Sequence, residues 1–78
     1  MKESQIQNKK IKQLEEDGYF VVKLVLTNKN GMPDLLALKN GKALFLEVKK
    51  KDGKLTKLQE YRIKEIKNKG FDTEVYRE

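Results

Sequence analysis

Apolar residues recur first at helical spacing, then in unbroken runs, then at helical spacing again, and these changes mark the elements. Residues 3–17 hold good helix formers without Gly or Pro, with Ile6, Ile11 and Leu14 as a narrow apolar stripe. That segment predicts an amphipathic helix closed by Gly18. Residues 19–26, Tyr-Phe-Val-Val-Lys-Leu-Val-Leu, are β-branched and aromatic and predict a strand. The run is apolar on both faces except at Lys23, so a central strand buried on both sides is expected. A polar turn follows over residues 27–31, and Gly31 lets the backbone swing into Pro33, which is tolerated at the start of a strand. Leu35-Leu36-Ala37-Leu38-Lys39 and Lys42-Ala43-Leu44-Phe45-Leu46 flank Asn40-Gly41. Two apolar runs about Asn-Gly predict a hairpin, because both central residues of a type I′ turn need positive φ. Residues 55–69 predict a second helix with Leu55, Leu58, Ile63 and Ile66 on one side, and Gly70 past its end. Thr56 and Gln59 fit a capping box at its start. Residues 71–76 alternate as a half-buried edge strand, and Arg77-Glu78 reads as a short frayed end. The order is α-β-β-β-α-β, with the last strand parallel to the third through a right-handed crossover. The expected fold is α/β (α+β): a single domain over residues 1–78, its mixed four-stranded sheet flanked by helices.

Composition narrows what such a domain can do. A chain of 78 residues builds one thin core and buries only about 60% of its unfolded surface, so a homodimer would help by covering apolar area. Lys and Arg number 18 against 12 Asp and Glu, a net charge of +6 that favours a polyanionic partner. The chain has no Cys and no His, which excludes disulfides, thiolate metal sites and histidine-based catalysis. Carboxylates, lysines and tyrosines remain, a set suited to Mg²⁺ chemistry. No apolar run approaches the ~18 residues of a membrane span and no signal peptide opens the chain, so a soluble, intracellular, cytoplasmic protein is expected.

The hairpin places chemistry at its open end. Counting outward from the turn sets Asp34 opposite Glu47, with Lys49 on the same face as Glu47 and Val48 pointing into the core. Two carboxylates about 4 Å apart repel by roughly 4 kcal/mol at an effective dielectric near 20. Lys49 offers one positive charge, but a carboxylate pair with a backbone carbonyl suits Mg²⁺ or Mn²⁺ better. The plainer alternative is a surface Glu-Lys ladder on an amphipathic hairpin.

Pro33-Asp34 followed by Glu47-Val48-Lys49 resembles the PD-(D/E)xK nuclease signature. More narrowly, Glu3-Ser4-Gln5-Ile6-Gln7, Gly31-Met32-Pro33-Asp34-Leu35-Leu36, Phe45-Leu46-Glu47-Val48-Lys49, Gly53-Lys54-Leu55 and Leu58-Gln59 are similar, in order, to the VRR-NUC branch. The resemblance implies a restriction-endonuclease-like core and a metal-dependent nuclease hydrolysing phosphodiester bonds in DNA. It implies that Asp34, Glu47, the Val48 carbonyl and Glu3 hold Mg²⁺, with Mn²⁺ substituting, and that Lys49 orients or helps deprotonate the attacking water. With anions beside it, Lys49 is expected to act as an electrostatic and positioning group rather than as the principal base. Glu3 has a second explanation, since a first-turn carboxylate meets the helix dipole favourably. The resemblance also turns Gln59 toward the metal site, a role hard to reconcile with capping. Small stand-alone members of the branch are similar to phage-type Holliday-junction resolvases, which implies a dimer acting on branched DNA in a bacterial or phage-infected cell.

Lys50, Lys51 and Lys54 form the densest basic run and adjoin the acidic pair, so they are candidate phosphate contacts, with Lys29 in the preceding turn and Arg62 on the second helix. A solvated loop explains the run equally. Nothing reads as a base-recognition helix or an aromatic stacking platform, so binding by backbone shape and charge is expected. Two other readings stay open: a non-catalytic basic nucleic-acid-binding module, and a subunit that dimerises through its sheet edge.

Overall fold

Asn40 and Gly41 both adopt positive φ, 52° and 75°, and the hairpin closes in the tight turn that these residue types permit. The computed structural model describes residues 1–78. Its elements are α1 (Glu3–Glu16), β1 (Phe20–Lys23), β2 (Leu35–Lys39), β3 (Lys42–Lys49), α2 (Lys57–Asn68) and β4 (Asp72–Arg77). The strands lie in the order β1-β2-β3-β4; β1/β2 and β2/β3 are antiparallel and β3/β4 is parallel. The β2/β3 ladder runs from Lys39↔Lys42 to Leu35↔Leu46. Asp34 and Glu47 stand at the next step outward, as the turn dictates.

One face of the sheet carries the core. Ile6 and Leu14 of α1 pack on Leu35, Ala37, Leu46 and Val48, with Ile11, Tyr19, Val21, Leu44 and Tyr76 around them. Alternation along the strands therefore turns Leu36, Leu38, Phe45, Glu47 and Lys49 to the opposite face. There α2 lies toward β4, burying Ile63, and Phe71 meets Phe45 edge-on at 6.4 Å between ring centroids.

Two expectations are corrected. The run of residues 19–26 is not a central strand buried on both faces: β1 spans four residues at the sheet's edge. Val21 faces the core, whereas Phe20 is 67% exposed and Val25 and Leu26, beyond the strand, are 83% and 96% exposed. The cause is the position of α2, which covers the β4 side of that face and leaves the β1–β2 side open. The C-terminal pair is not frayed either. Arg77 Nε donates to the Gly53 carbonyl at 3.1 Å, the Glu78 N–H donates to the Lys49 carbonyl at 3.3 Å, and Lys9 Nζ meets the Glu78 carboxylate at 2.6 Å.

Candidate active site

Pro33, fully buried, has no N–H to continue a ladder, so β2 starts only after Asp34. The Asp34 carbonyl accepts from the Leu24 N–H at 2.8 Å, and its carboxylate Oδ2 accepts from the Val48 N–H at 2.9 Å. The side chain thus takes over the bond that β2's backbone has stopped supplying to β3. Across from it, Glu47 is only 2% exposed. Its Oε2 lies 3.9 Å from Lys49 Nζ and accepts from Gln59 Nε2 at 3.5 Å, while Oε1 is buried and accepts from no N–H or hydroxyl donor.

Burial pushes the Glu47 carboxyl up to about 8, helped by the charge and hydrogen bonding of Asp34 and by the charge of Glu3, against the opposing pull of Lys49. Near neutral pH the metal-free pair therefore retains a proton between two acids. An unpaired buried carboxylate oxygen is costly, and a cation is the partner whose charge and hardness match it. A third oxygen faces the same way. Carbonyls alternate sides along a strand, and that of Lys49 accepts from Glu78 on the β4 side; the Val48 carbonyl, one residue earlier, is turned toward Asp34. Two carboxylates and a carbonyl are hard donors that fit Mg²⁺ or Mn²⁺.

Gln59 reconciles two roles that looked exclusive. Its Oε1 accepts from the Thr56 N–H at 3.0 Å and its own N–H donates to Thr56 Oγ1 at 3.1 Å, completing the capping box. Capping uses the oxygen end of the amide, so the nitrogen end remains for Glu47. Glu3 comes to the site from the first helix. It opens α1 and lines a cleft of about 500 Å³ with Ile6, Lys50, Lys51 and Gly53. The Glu3 charge is felt at Glu47, where it helps to raise the carboxyl, so Glu3 stands on the same side of the fold as the pair.

The VRR-NUC domain profile matches residues 2–77. The chain belongs to the VRR-NUC family. A solved structure described as a VRR_NUC domain superposes with a TM-score of 0.83 at 29% sequence identity, covering 94% of this chain and 81% of that one. No curated protein matches the chain. VRR-NUC is a nuclease-type domain, so nucleic acid is the substrate class, and the αβββαβ core is the family's fold.

On this VRR-NUC domain the basic candidates fall into two groups. Lys29, Lys50, Lys51 and Lys54 are exposed, with Lys50 and Lys51 on the cleft beside Glu3. Arg62 differs from them. Its Nε donates to the Asn30 carbonyl at 2.8 Å, one terminal nitrogen meets Glu65 at 3.1 Å, and the side chain is only 17% exposed. The guanidinium ties α2 to the loop ahead of Asp34, a contact between residues 32 apart that no local pattern announces.

That loop leaves no room at Gly31. Its φ is +79°, and a Cβ there would lie 2.6 Å from Leu58 Cγ. Gly31→Ala is expected to destabilise the fold by about 1–3 kcal/mol, read as a lower urea midpoint at unchanged slope. A midpoint equal to the parent's would show the loop is not seated on α2.

Proposed function

We propose that this VRR-NUC domain is a Mg²⁺-dependent DNA endonuclease, selective for branched DNA such as Holliday junctions, that works as a homodimer in the cytoplasm, with Mn²⁺ able to replace Mg²⁺. The observation that carries the reading is the buried, unpartnered Glu47 oxygen set against Asp34. A metal-dependent nuclease needs a cation where phosphate arrives, and here two carboxylates and a carbonyl gather around a single nearby ammonium, that of Lys49.

Asp34, Glu47 and the Val48 carbonyl would hold the ion, with Glu3 reaching it from the first helix. When bound, the ion polarises the phosphoryl oxygen and lowers the pKa of coordinated water. Gln59 engages Glu47 Oε2 and so keeps the carboxylate turned with Oε1 free. Lys49, 12% exposed and 3.9 Å from Glu47, keeps its ammonium at the pair, where it orients the attacking water and offsets the charge gathering on phosphorus. The exposed Lys29, Lys50, Lys51 and Lys54 neutralise phosphates on either side of the cut, contacts that position DNA without reading its sequence.

The uncovered half of the sheet supports the dimer. Phe20, Val22, Leu36 and Leu38 lie on adjacent strands of the face that α2 leaves open, with Phe20 and Leu38 directly paired. A contiguous apolar surface of this kind marks an interaction site. Two active sites related by a two-fold axis match the symmetry of a four-way junction.

The test compares a four-way junction with linear duplex of the same sequence, in Mg²⁺, Mn²⁺ or EDTA, beside a molar mass in solution. Junction cleavage in either metal but not in EDTA, about tenfold or more above the duplex (some 1.4 kcal/mol of discrimination), is the expected result. Asp34→Ala and Lys49→Ala should remove it, and the mass should be that of two chains. Cleavage that survives EDTA or both substitutions would overturn the assignment. Metal-independent binding without cleavage would point to the non-catalytic module instead.

A further inference from the structure

We infer that α2 gauges the spacing of the acidic pair, and that Arg62 is a positioning residue holding Asp34 in place through the loop before it. The inference rests on the reading of Asp34 and Glu47 as a metal pair. Gln59 and Arg62 are three residues apart and so lie one turn apart on the same side of the helix. From that side Gln59 reaches Glu47 on β3, and Arg62 reaches the Asn30 carbonyl at 2.8 Å. Leu58, one residue before Gln59, occupies the space that any side chain at Gly31 would need. One short helix surface therefore touches the carrier of each carboxylate, β3 directly and the approach to β2 through residues 30–31.

Position passes from that loop to the acid along a stiff path. Between Gly31 and Asp34 lie only Met32 and Pro33, and Pro33 is both fixed in φ and fully buried. A shift at residues 30–31 is therefore handed on to Asp34, with little chain available to absorb it. Asp34 in turn carries the Val48 N–H on Oδ2 at 2.9 Å, so its displacement is visible at a backbone amide. Arg62 is built for a fixed aim. Glu65 holds one end of its guanidinium at 3.1 Å, and the group sits 5.3 Å from the centre of the Tyr61 ring. A planar fork held on two sides loses little freedom in making its third contact, which a lysine cannot match.

The experiment uses the full chain in three variants. Arg62→Met keeps the aliphatic stem and removes every donor; Arg62→Lys keeps the charge and a donor; Leu14→Val weakens the core beside α1, away from the acidic pair. Two quantities are read: exchange of the Val48 amide relative to the Phe45 and Leu46 amides, and the calorimetric Kd for Mn²⁺. Arg62→Met is expected to fold, to speed Val48 exchange about tenfold relative to its β3 neighbours, and to weaken Mn²⁺ binding by roughly 10–100-fold, the range for lost support of a metal ligand. Arg62→Lys should recover part of both. Leu14→Val should speed all three amides together and leave the Kd within about twofold, since it leaves every ligand and its support in place. If Val48 exchanges in step with Phe45 and Leu46 in Arg62→Met, or in Arg62→Lys should the Met variant not fold, the positioning role is overturned. A parent chain that does not bind Mn²⁺ would end the metal reading, while the Val48 amide would still decide the matter of Arg62.

Discussion

Glu47→Gln is expected to yield a more stable protein at pH 8 that cleaves no DNA. The Glu47 carboxyl is pushed up to about 8 by burial and by Asp34, whereas in the unfolded chain it titrates near its ordinary 4.5. Between those values the folded state binds a proton that the unfolded state has lost. Stability therefore falls as pH rises across that window, and the contribution present below pH 4.5 is gone above about 8. A shift of this size is on the order of a few kcal/mol. Glutamine keeps the shape of the protonated acid, offers N–H to the Asp34 carboxylate and has nothing to ionise. The variant should lack the decline, and at pH 8 its denaturant midpoint should lie above the parent's by an amount equivalent to a few kcal/mol.

The same change removes an anionic ligand from the metal pair, so cleavage should fall roughly a thousandfold or more, about 4 kcal/mol of lost transition-state stabilisation. The two effects together separate a functional acid from a structural one. A structural Glu47 would lose stability on substitution, since Lys49 and Gln59 would lose a charged partner. A gain in stability with loss of cleavage identifies strain maintained for function. A variant that is less stable than the parent at pH 8, or that still cuts, would remove Glu47 from the centre of the site.

Much of this arrangement was legible because it depends on near neighbours. Asn40-Gly41 forces the turn, the turn forces the register, and the register alone brings Asp34 and Glu47 level. The second helix announced its start through Thr56 and Gln59 for the same reason. What was misread depends on which element covers which. The run from Tyr19 to Leu26 is apolar whether it lies mid-sheet or at an edge, and only the lean of α2 toward β4 makes Phe20 a surface residue. The bond from Arg62 to Asn30 was not legible because the two are 32 residues apart in sequence. Gln59 was misjudged differently: treating the amide as one group forced a choice, whereas its oxygen and nitrogen ends bond separately. Glu3 is felt at Glu47 because of how α1 packs on the sheet, which residue spacing does not encode.

Metal binding should expel the proton that Glu47 retains, and this makes the ion's affinity a function of pH. At pH 7 the metal-free carboxyl is mostly protonated, with its titration near 8, while a ligand to Mg²⁺ or Mn²⁺ must be anionic. Each ion bound near pH 6.5–7 should therefore release about one proton, and near pH 9 almost none. Affinity should rise about tenfold per pH unit up to the neighbourhood of 8 and level off beyond it. Calorimetric titration of Mn²⁺ in buffers of differing ionisation enthalpy reads the proton count directly. The stabilisation that the ion gives the fold must follow the same curve, because it scales with the ratio of free ion to Kd; thermal shifts at a fixed ion concentration should be small at pH 6 and largest at pH 8–9. Glu47→Gln has no proton to give up, and whatever residual binding it shows should be flat with pH over this range. Binding in the parent with no proton release at pH 7 would mean that the ion sits elsewhere, and that the unpartnered oxygen of Glu47 is not its ligand.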